Sequence, residues 1–257
     1  MKIVNCKLKI KEILLDILFP KKCIECDKEG NYVCEKCSVF ISESILVCPI
    51  CGNANHSGQK HFNCSKRYDL DGLINIWDYE GVMKKLILEI KYKGVTDAIS
   101  GLVEDSFKTM TEDKKRFKPF LSFLLSENTC IAYVPMHRKK QRRRGFNQSE
   151  IIAKKIGKMS NCKVVSLLEK TVNTKSQTKL TKEERMKNVR DSFSMIAPSH
   201  SEPAPGHSEP AGEESRNQNV LLVDDVFTTG ATMKECCKVL KQSGIKNIWG
   251  FTLARTV

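Results

Sequence analysis

The stretch from Val220 to Thr232 constrains this chain more than any other. Four apolar residues, Val220, Leu221, Leu222 and Val223, run into the adjacent carboxylates Asp224 and Asp225. Val226 and Phe227 follow, then a turn of Thr228, Thr229, Gly230, Ala231 and Thr232. An uninterrupted apolar run fits a strand buried on both faces of a parallel sheet. Its carboxylates would emerge at the strand's carboxyl end, where open α/β sheets bind ligands. The turn offers hydroxyls and a permissive glycine just ahead of a helical pattern, whose free N–H groups and dipole favour a phosphate. Asp224 and Asp225 can accept hydrogen bonds from vicinal sugar hydroxyls. The residue types together describe a sugar-phosphate site.

The 257 residues can hold one medium α/β domain and a small module, and an apolar share of 40% suits a folded protein. No apolar run reaches the length needed to span a bilayer. Ile10, Ile13, Leu14, Ile17 and Leu18 fall at helical spacing, broken by Lys11, Glu12 and Asp16. Residues 1–20 therefore read as an amphipathic helix ended by Pro20, not as a signal peptide, with docking on the body of the protein favoured over membrane attachment. A cytoplasmic location is expected. Lys and Arg outnumber Asp and Glu by 43 to 30, a net +13 that favours polyanionic partners, pyrophosphate-bearing or nucleic acid.

Twelve cysteines without an export signal point to metal before disulfides. Three CxxC knuckles stand at the front: Cys23/Cys26, Cys34/Cys37 and Cys48/Cys51. His61 and Cys64 repeat the spacing with an imidazole in first place. Two thiolates from one tight turn suit a tetrahedral Zn²⁺, so these eight ligands supply one or two structural zinc sites. Four protein ligands leave no open position, which assigns the metal to folding. Spacing leaves sequential and crossed pairing open, and His56 is the one nearby substitute for His61. Cys6, Cys130, Cys162, Cys236 and Cys237 lack this spacing; Cys130 and Cys162 open apolar runs and read as core.

Residues 69–257 alternate strands with helices. Strands are expected at Leu73–Tyr79, Ile131–Val134, Val164–Leu168 and Ile248–Leu253 besides Val220–Val223. Helices are expected at Val82–Tyr92, Asp97–Met110, Gln148–Met159 and Lys234–Gln242. The fold class is α/β, a parallel, doubly wound sheet with helices on both faces. Residues 197–219 break the pattern, with His200-Ser201-Glu202-Pro203-Ala204 recurring as His207-Ser208-Glu209-Pro210-Ala211. Such a composition buries too little surface to fold, and it reads as a disordered insertion.

These residues resemble the ComF family of type I phosphoribosyltransferases, associated with DNA uptake in natural transformation. The likeness covers nearly the whole chain. It rests on the cysteine knuckles of residues 21–68, on Lys91-Tyr92-Lys93-Gly94, on Arg144-Gly145-Phe146-Asn147-Gln148, and on Gln177, Leu180, Arg185, Asn188 and Phe193. The 220–232 motif completes it. Lys170 and Val172 stand where members of the family carry arginines.

The resemblance implies a double zinc ribbon ahead of a type I phosphoribosyltransferase-like sheet that binds phosphoribosyl pyrophosphate with Mg²⁺. Pyrophosphate would be displaced at the anomeric carbon, so fixed cations and Mg²⁺ must meet its charge. Asp224 and Asp225 would hold the ribose hydroxyls, and Thr228, Thr229, Gly230, Ala231 and Thr232 the 5′-phosphate. Arg144 and Gly145 would meet the pyrophosphate, with Arg185 arriving from a mobile loop. The basic run His137–Arg144 reads either as a contact to pyrophosphate at its Arg144 end and to nucleic-acid backbone along the rest, or as a solvated loop with neither role. Single-stranded DNA and the DNA-uptake and helicase machinery are the implied partners. A non-catalytic, ligand-sensing or DNA-handling protein is the competing reading. Neither the acceptor nor the oligomeric state is encoded in these motifs.

Overall fold

The computed structural model of the chain describes residues 20–64, 68–174, 181–196 and 218–256. The amphipathic stretch expected before Pro20, Gln177, Leu180 and nearly all of the 197–219 insertion lie outside them. Asn219 opens a strand.

Five parallel strands form the central sheet: β1 (Gly72–Asp78), β2 (Thr129–Tyr133), β3 (Lys163–Val164), β6 (Asn219–Phe227) and β7 (Asn247–Arg255). Their spatial order is β1-β7-β6-β2-β3. Two further strands, β4 (Leu168–Lys170) and β5 (Phe193–Met195), make a separate antiparallel pair. The expected strand Val164–Leu168 is thus two strands in two sheets. An apolar run of this length carries no signal for where the chain changes partner.

Side-chain alternation along β6 divides the core. Leu221 and Val223 pack with Ile74, Ile131, Trp249 and Phe251 on one face. That face is covered by α2 (Gly81–Lys93), α3 (Ala98–Glu112), α4 (Lys114–Leu124) and α6 (Gln148–Ser160), through Ile87, Ile99, Phe120 and Ile152 among others. Val220 and Leu222 pack with Leu73, Cys130, Ala132 and Ile248 on the other. There α8 (Ala231–Gln242) brings Met233, Cys236, Cys237 and Leu240, joined by Val189 of α7 (Lys182–Val189). Period-two alternation with both classes apolar is what a sheet covered on two faces requires. Cys130 is core as expected; Cys162 is only half-buried, its thiol donating to the Leu124 carbonyl at 3.2 Å.

Several boundaries differ from expectation. β6 runs on through both acids to Phe227, because β7 keeps pairing with it there. Helix α8 starts at Ala231 rather than Lys234: Gly230 takes a left-handed φ of 71° and turns the chain at once into the helix. Helix α4 contains Pro119 and begins within the charged stretch. The basic run folds as α5 (Arg138–Arg144), capped by the His137 side chain, which accepts from the Lys139 amide at 3.2 Å.

The cysteine-rich segment holds the short helix α1 (Glu35–Ser38) and lies along the free edge of β1. Ser44 donates its amide to Ile76 O at 2.8 Å, Asp78 to Ser42 O at 3.0 Å and Leu73 to Gly58 O at 2.8 Å. Gly58 has a φ of 72°, and a Cβ there would press into the Leu73 carbonyl, so only glycine permits this approach. Unpaired strand edges recruit other strands, and here the edge is covered.

Candidate functional site

Strands β2 and β6 are neighbours, but the helices that follow them go to opposite faces, α6 to one and α8 to the other. A crevice therefore opens beyond their carboxyl ends, the position at which doubly wound sheets bind ligands. β2 stops at Tyr133, level with Val223, so Asp224 and Asp225 project from β6 just where its neighbour ends.

Successive strand residues point to opposite faces, and the two acids have different neighbours. Asp224 Oδ1 accepts from the Ser149 hydroxyl at 2.8 Å and from the Asp225 amide at 2.9 Å. Burial pushes its carboxyl up to about 6, and the Asp225 charge adds to this; the Ser149 hydroxyl, the Asp225 amide and Lys91 oppose it. Asp225 Oδ2 pairs with Lys91 Nζ at 3.0 Å. Burial alone would lower Lys91, yet the Asp225 charge holds it above the usual lysine range.

Cations crowd the same crevice. Burial and the charges of Arg144 and Lys91 pull Lys140 below the usual lysine range. Burial and the Lys140 charge do the same to Lys170, whose Nζ lies 5.0 Å from the Phe193 ring centroid. Arg144 donates Nη1–H to Gln148 Oε1 at 2.9 Å and stands over the Tyr92 ring, 5.7 Å from its centroid. A cluster whose members depress one another is relieved by a polyanion.

The helix starts are locally specified. Asn147 caps α6, accepting from the Ser149 amide at 3.2 Å and donating to Val134 O at 3.0 Å, which ties the helix to the end of β2. Helix α8 has no side-chain cap on Gly230; Thr229 Oγ1 accepts from the Ala231 amide at 3.4 Å. Thr228, Thr229 and Thr232 are half-buried around this helix start.

The sequence-expected residues are therefore gathered unevenly. Asp224, Asp225 and Arg144 share the crevice, with Thr228–Thr232 following the end of β6, while Gly145 is exposed and ends α5 in the left-handed conformation. Arg185 sits half-buried on α7, whose capping box of Thr181 and Glu184 sets its start and whose Val189 packs with the α8 face. Within α5, Lys140 and Arg144 are half-buried while Arg138, Lys139, Arg142 and Arg143 are exposed, so the basic run has two faces. Val172, unlike Lys170, is exposed.

No spacing or motif in the sequence ties Lys91, Lys140 or Ser149 to the acid pair. Lys91 stands out in the sequence through its place in Lys91-Tyr92-Lys93-Gly94. Gly94 ends α2 in the left-handed conformation and lies under Phe146, so two separate motifs are packed together.

The knuckles also resolve. Cys23, Cys26, Cys34 and Cys37 form one group, and Cys48, Cys51, His61 and Cys64 another, each with ligand atoms within 4.8 Å of one another. Pairing is sequential, and His61, not His56, completes the second group. Cys26 Sγ and Cys34 Sγ are 3.6 Å apart, close to the spacing of about 3.8 Å that tetrahedral Zn–S bonds impose. Cys51 Sγ lies 3.4 Å from His61 Nδ1. Both donor sets fit zinc.

Residues 142–255 match the phosphoribosyl transferase domain family. This part of the chain is similar to a phosphoribosyl transferase domain. Beyond it, similarity extends to residues outside that span. The chain is 26% identical to Competence protein F of Haemophilus influenzae over 248 residues, 92% of this chain and 98% of that protein. It is 23% identical to Competence protein ComFC of Bacillus subtilis over 238 residues, 89% and 86% of the two. It is 24% identical to DNA utilization protein YhgH of Escherichia coli K12 over 231 residues, 88% and 91%. The resemblance to the ComF family is borne out, with the metal-ligand groups ahead of the phosphoribosyl transferase domain. No helix among the described residues is long and apolar enough to cross a membrane.

Proposed function

We propose that the chain binds phosphoribosyl pyrophosphate together with Mg²⁺ in the crevice between β2 and β6, and that it acts in DNA uptake. The observation that carries this reading is the acid pair of β6 set among Lys91, Lys140 and Arg144 beside the start of α8. Asp224 and Asp225 take the ribose hydroxyls, the amides and hydroxyls of Thr228 to Thr232 take the 5′-phosphate, and Arg144 and Gly145 meet the pyrophosphate. Arg185, on α7, is the further cation assigned to the leaving charge.

Carboxylate oxygens are donors that Mg²⁺ prefers, so the half-buried acid pair fits the ion, which when bound would neutralise charge on the pyrophosphate. In the transfer reaction a bond forms from an acceptor nucleophile to the anomeric carbon as the bond to pyrophosphate oxygen breaks. The residues named hold the sugar still and receive the departing charge. The names of the relatives support a role in competence and DNA utilization, in keeping with the cytoplasmic location expected from sequence. Calorimetry on the zinc-loaded chain tests the reading: saturable binding of phosphoribosyl pyrophosphate with Mg²⁺, lost in Asp225→Asn, is expected. Absence of binding by the wild type overturns it.

A second reading, contact with single-stranded DNA, is favoured by the outward face of α5. Arg138, Lys139, Arg142 and Arg143 are exposed there, directed away from the half-buried Lys140 and Arg144. Backbone contacts of this kind release counterions and weaken steeply with salt. A filter assay across salt concentrations should show that dependence, and replacing the four residues by serine should flatten it while leaving the crevice intact. Binding without salt dependence removes this reading.

A further inference from the structure

The Lys91–Asp225 pair bridges two parts of the chain that the domain match separates: Asp225 lies inside residues 142–255 and Lys91 outside. At 3.0 Å, with side chains only 20% and 16% exposed, it is far from a solvated surface pair. Lys91 belongs to the last turn of α2, and the left-handed Gly94 ends that helix three residues later. The neighbouring Lys93 is 71% exposed and paired with Glu89 on the outer side at 2.9 Å, so it cannot share the duty. Lys91 therefore occupies the carboxylate that the reading above gives to the ligand.

The charges decide what can displace it. Lys91, Lys140, Lys170 and Arg144 surround Asp224 and Asp225, four cations against two carboxylates. A divalent cation arriving alone would add positive charge to a site already in excess. It would also have to push Lys91 off Asp225 toward Lys140 and Arg144. A sugar diol arriving alone would break the ion pair and leave the ammonium half-buried without an anion, which is costly. A ligand that carries a pyrophosphate beside the diol supplies the anion that Lys91 needs when it lets go.

We propose that Lys91 is a specificity-determining residue, a counter-ion that guards Asp225 and yields it only to a sugar bearing a pyrophosphate. Free divalent cations and sugars phosphorylated only at the 5′ position are turned away. This rests on the proposed binding of phosphoribosyl pyrophosphate.

The test uses the zinc-loaded full chain and three probes: Mn²⁺ alone, followed by its electron paramagnetic resonance signal, and ribose 5-phosphate and phosphoribosyl pyrophosphate with Mg²⁺, followed by calorimetry. In the wild type, Mn²⁺ alone and ribose 5-phosphate should bind weakly. In Lys91→Met both should tighten about tenfold, the worth of one largely desolvated ion pair no longer broken, while phosphoribosyl pyrophosphate weakens. Lys91→Arg keeps the charge and should behave as the wild type, which separates this effect from misfolding. If Lys91→Met gains no affinity for Mn²⁺ or ribose 5-phosphate while the wild type binds phosphoribosyl pyrophosphate, the guarding role is wrong and the parent reading stands. If the wild type does not bind phosphoribosyl pyrophosphate at all, both fall together.

Discussion

Ser149 donates its hydroxyl to Asp224 Oδ1 at 2.8 Å, reaching across 75 positions of sequence from the first turn of α6 to the end of β6. Because Asn147 fixes that first turn against Val134, the hydroxyl is held rigidly and favours the ionised carboxylate. Removing it in Ser149→Ala should weaken binding of phosphoribosyl pyrophosphate with Mg²⁺ about tenfold, as for one hydrogen bond to a charged group. Asp224 already sits up at about 6 and would rise further, so the loss should be larger at pH 6 than at pH 8. Equal losses at both pH values would show that Ser149 acts on packing alone. Ser149→Thr should restore affinity.

The raised Asp224 carboxyl also has a consequence for folding. Its folded-state value lies above the ordinary 3.8, so the folded chain holds more protons across the window up to about 6. Stability is therefore lost from this group as pH rises through that window, and at pH 8 the ionised carboxylate is a net burden. Asp224→Asn should stabilise the chain at pH 8 by about 1–2 kcal/mol, discounted from the full shift because water reaches the half-buried pair. At pH 5 the difference should shrink toward zero. Chemical denaturation in Mg²⁺-free buffer at the two pH values measures it, and a variant less stable than wild type at pH 8 refutes it.

Asp71 is the opposite case. It accepts from Lys60 Nζ at 2.7 Å, Lys241 Nζ at 2.6 Å and the Ile248 amide at 2.9 Å, joining the second cysteine group, α8 and β7. Burial would raise its carboxyl, but the two lysines and the amide more than offset that and hold it below the ordinary range. Its stabilisation is present above the unfolded-state value and lost as pH falls through the folded one. Asp71→Ala leaves Lys241, only 10% exposed, without its carboxylate and should cost about 3 kcal/mol at pH 7. A thermal melt unchanged from wild type would show the three contacts to be incidental.

Metal content gives a separate check on the cysteine groups. The wild type should hold two zinc ions per chain, and Cys23→Ala and Cys48→Ala one each, by elemental analysis of purified protein. Loss of both ions from either single variant would mean that the two groups fold as one.

Gly230→Ala tests the turn. The residue has a φ of 71°, and a Cβ there would meet the Phe227 ring. The strain of a left-handed alanine is about 1–2 kcal/mol, and the clash displaces the start of α8. Affinity for phosphoribosyl pyrophosphate should fall by more than the loss of stability accounts for. An unaltered affinity would remove the turn from the 5′-phosphate site.

Much of the architecture is written in short-range pattern. The alternation of Val220 to Val223 between two cores, the acids behind it and the ligand spacing of the knuckles are all local, and periodicity or spacing reports them directly. What stayed hidden depends on which distant segments meet. Lys91 and Asp225 are brought together only by the docking of α2 on the sheet, and Ser149 reaches Asp224 only through the packing of α6. The division of residues 163–170 between two sheets is set by the partners Ile131 and Phe193, not by the run itself. The two faces of α5 needed knowledge that the basic run is helical.

The covering of β1 by the cysteine-rich segment bears on how this chain can be handled. A fragment beginning near residue 69 would keep every residue of the crevice yet lose the hydrogen bonds that Ser42, Ser44 and Gly58 make with that strand. Its bare border would invite pairing with other copies, and such a fragment should aggregate on expression. Stripping zinc from the whole chain should act the same way. The metal ligands, remote from any chemistry, then decide whether the sheet stays monodisperse.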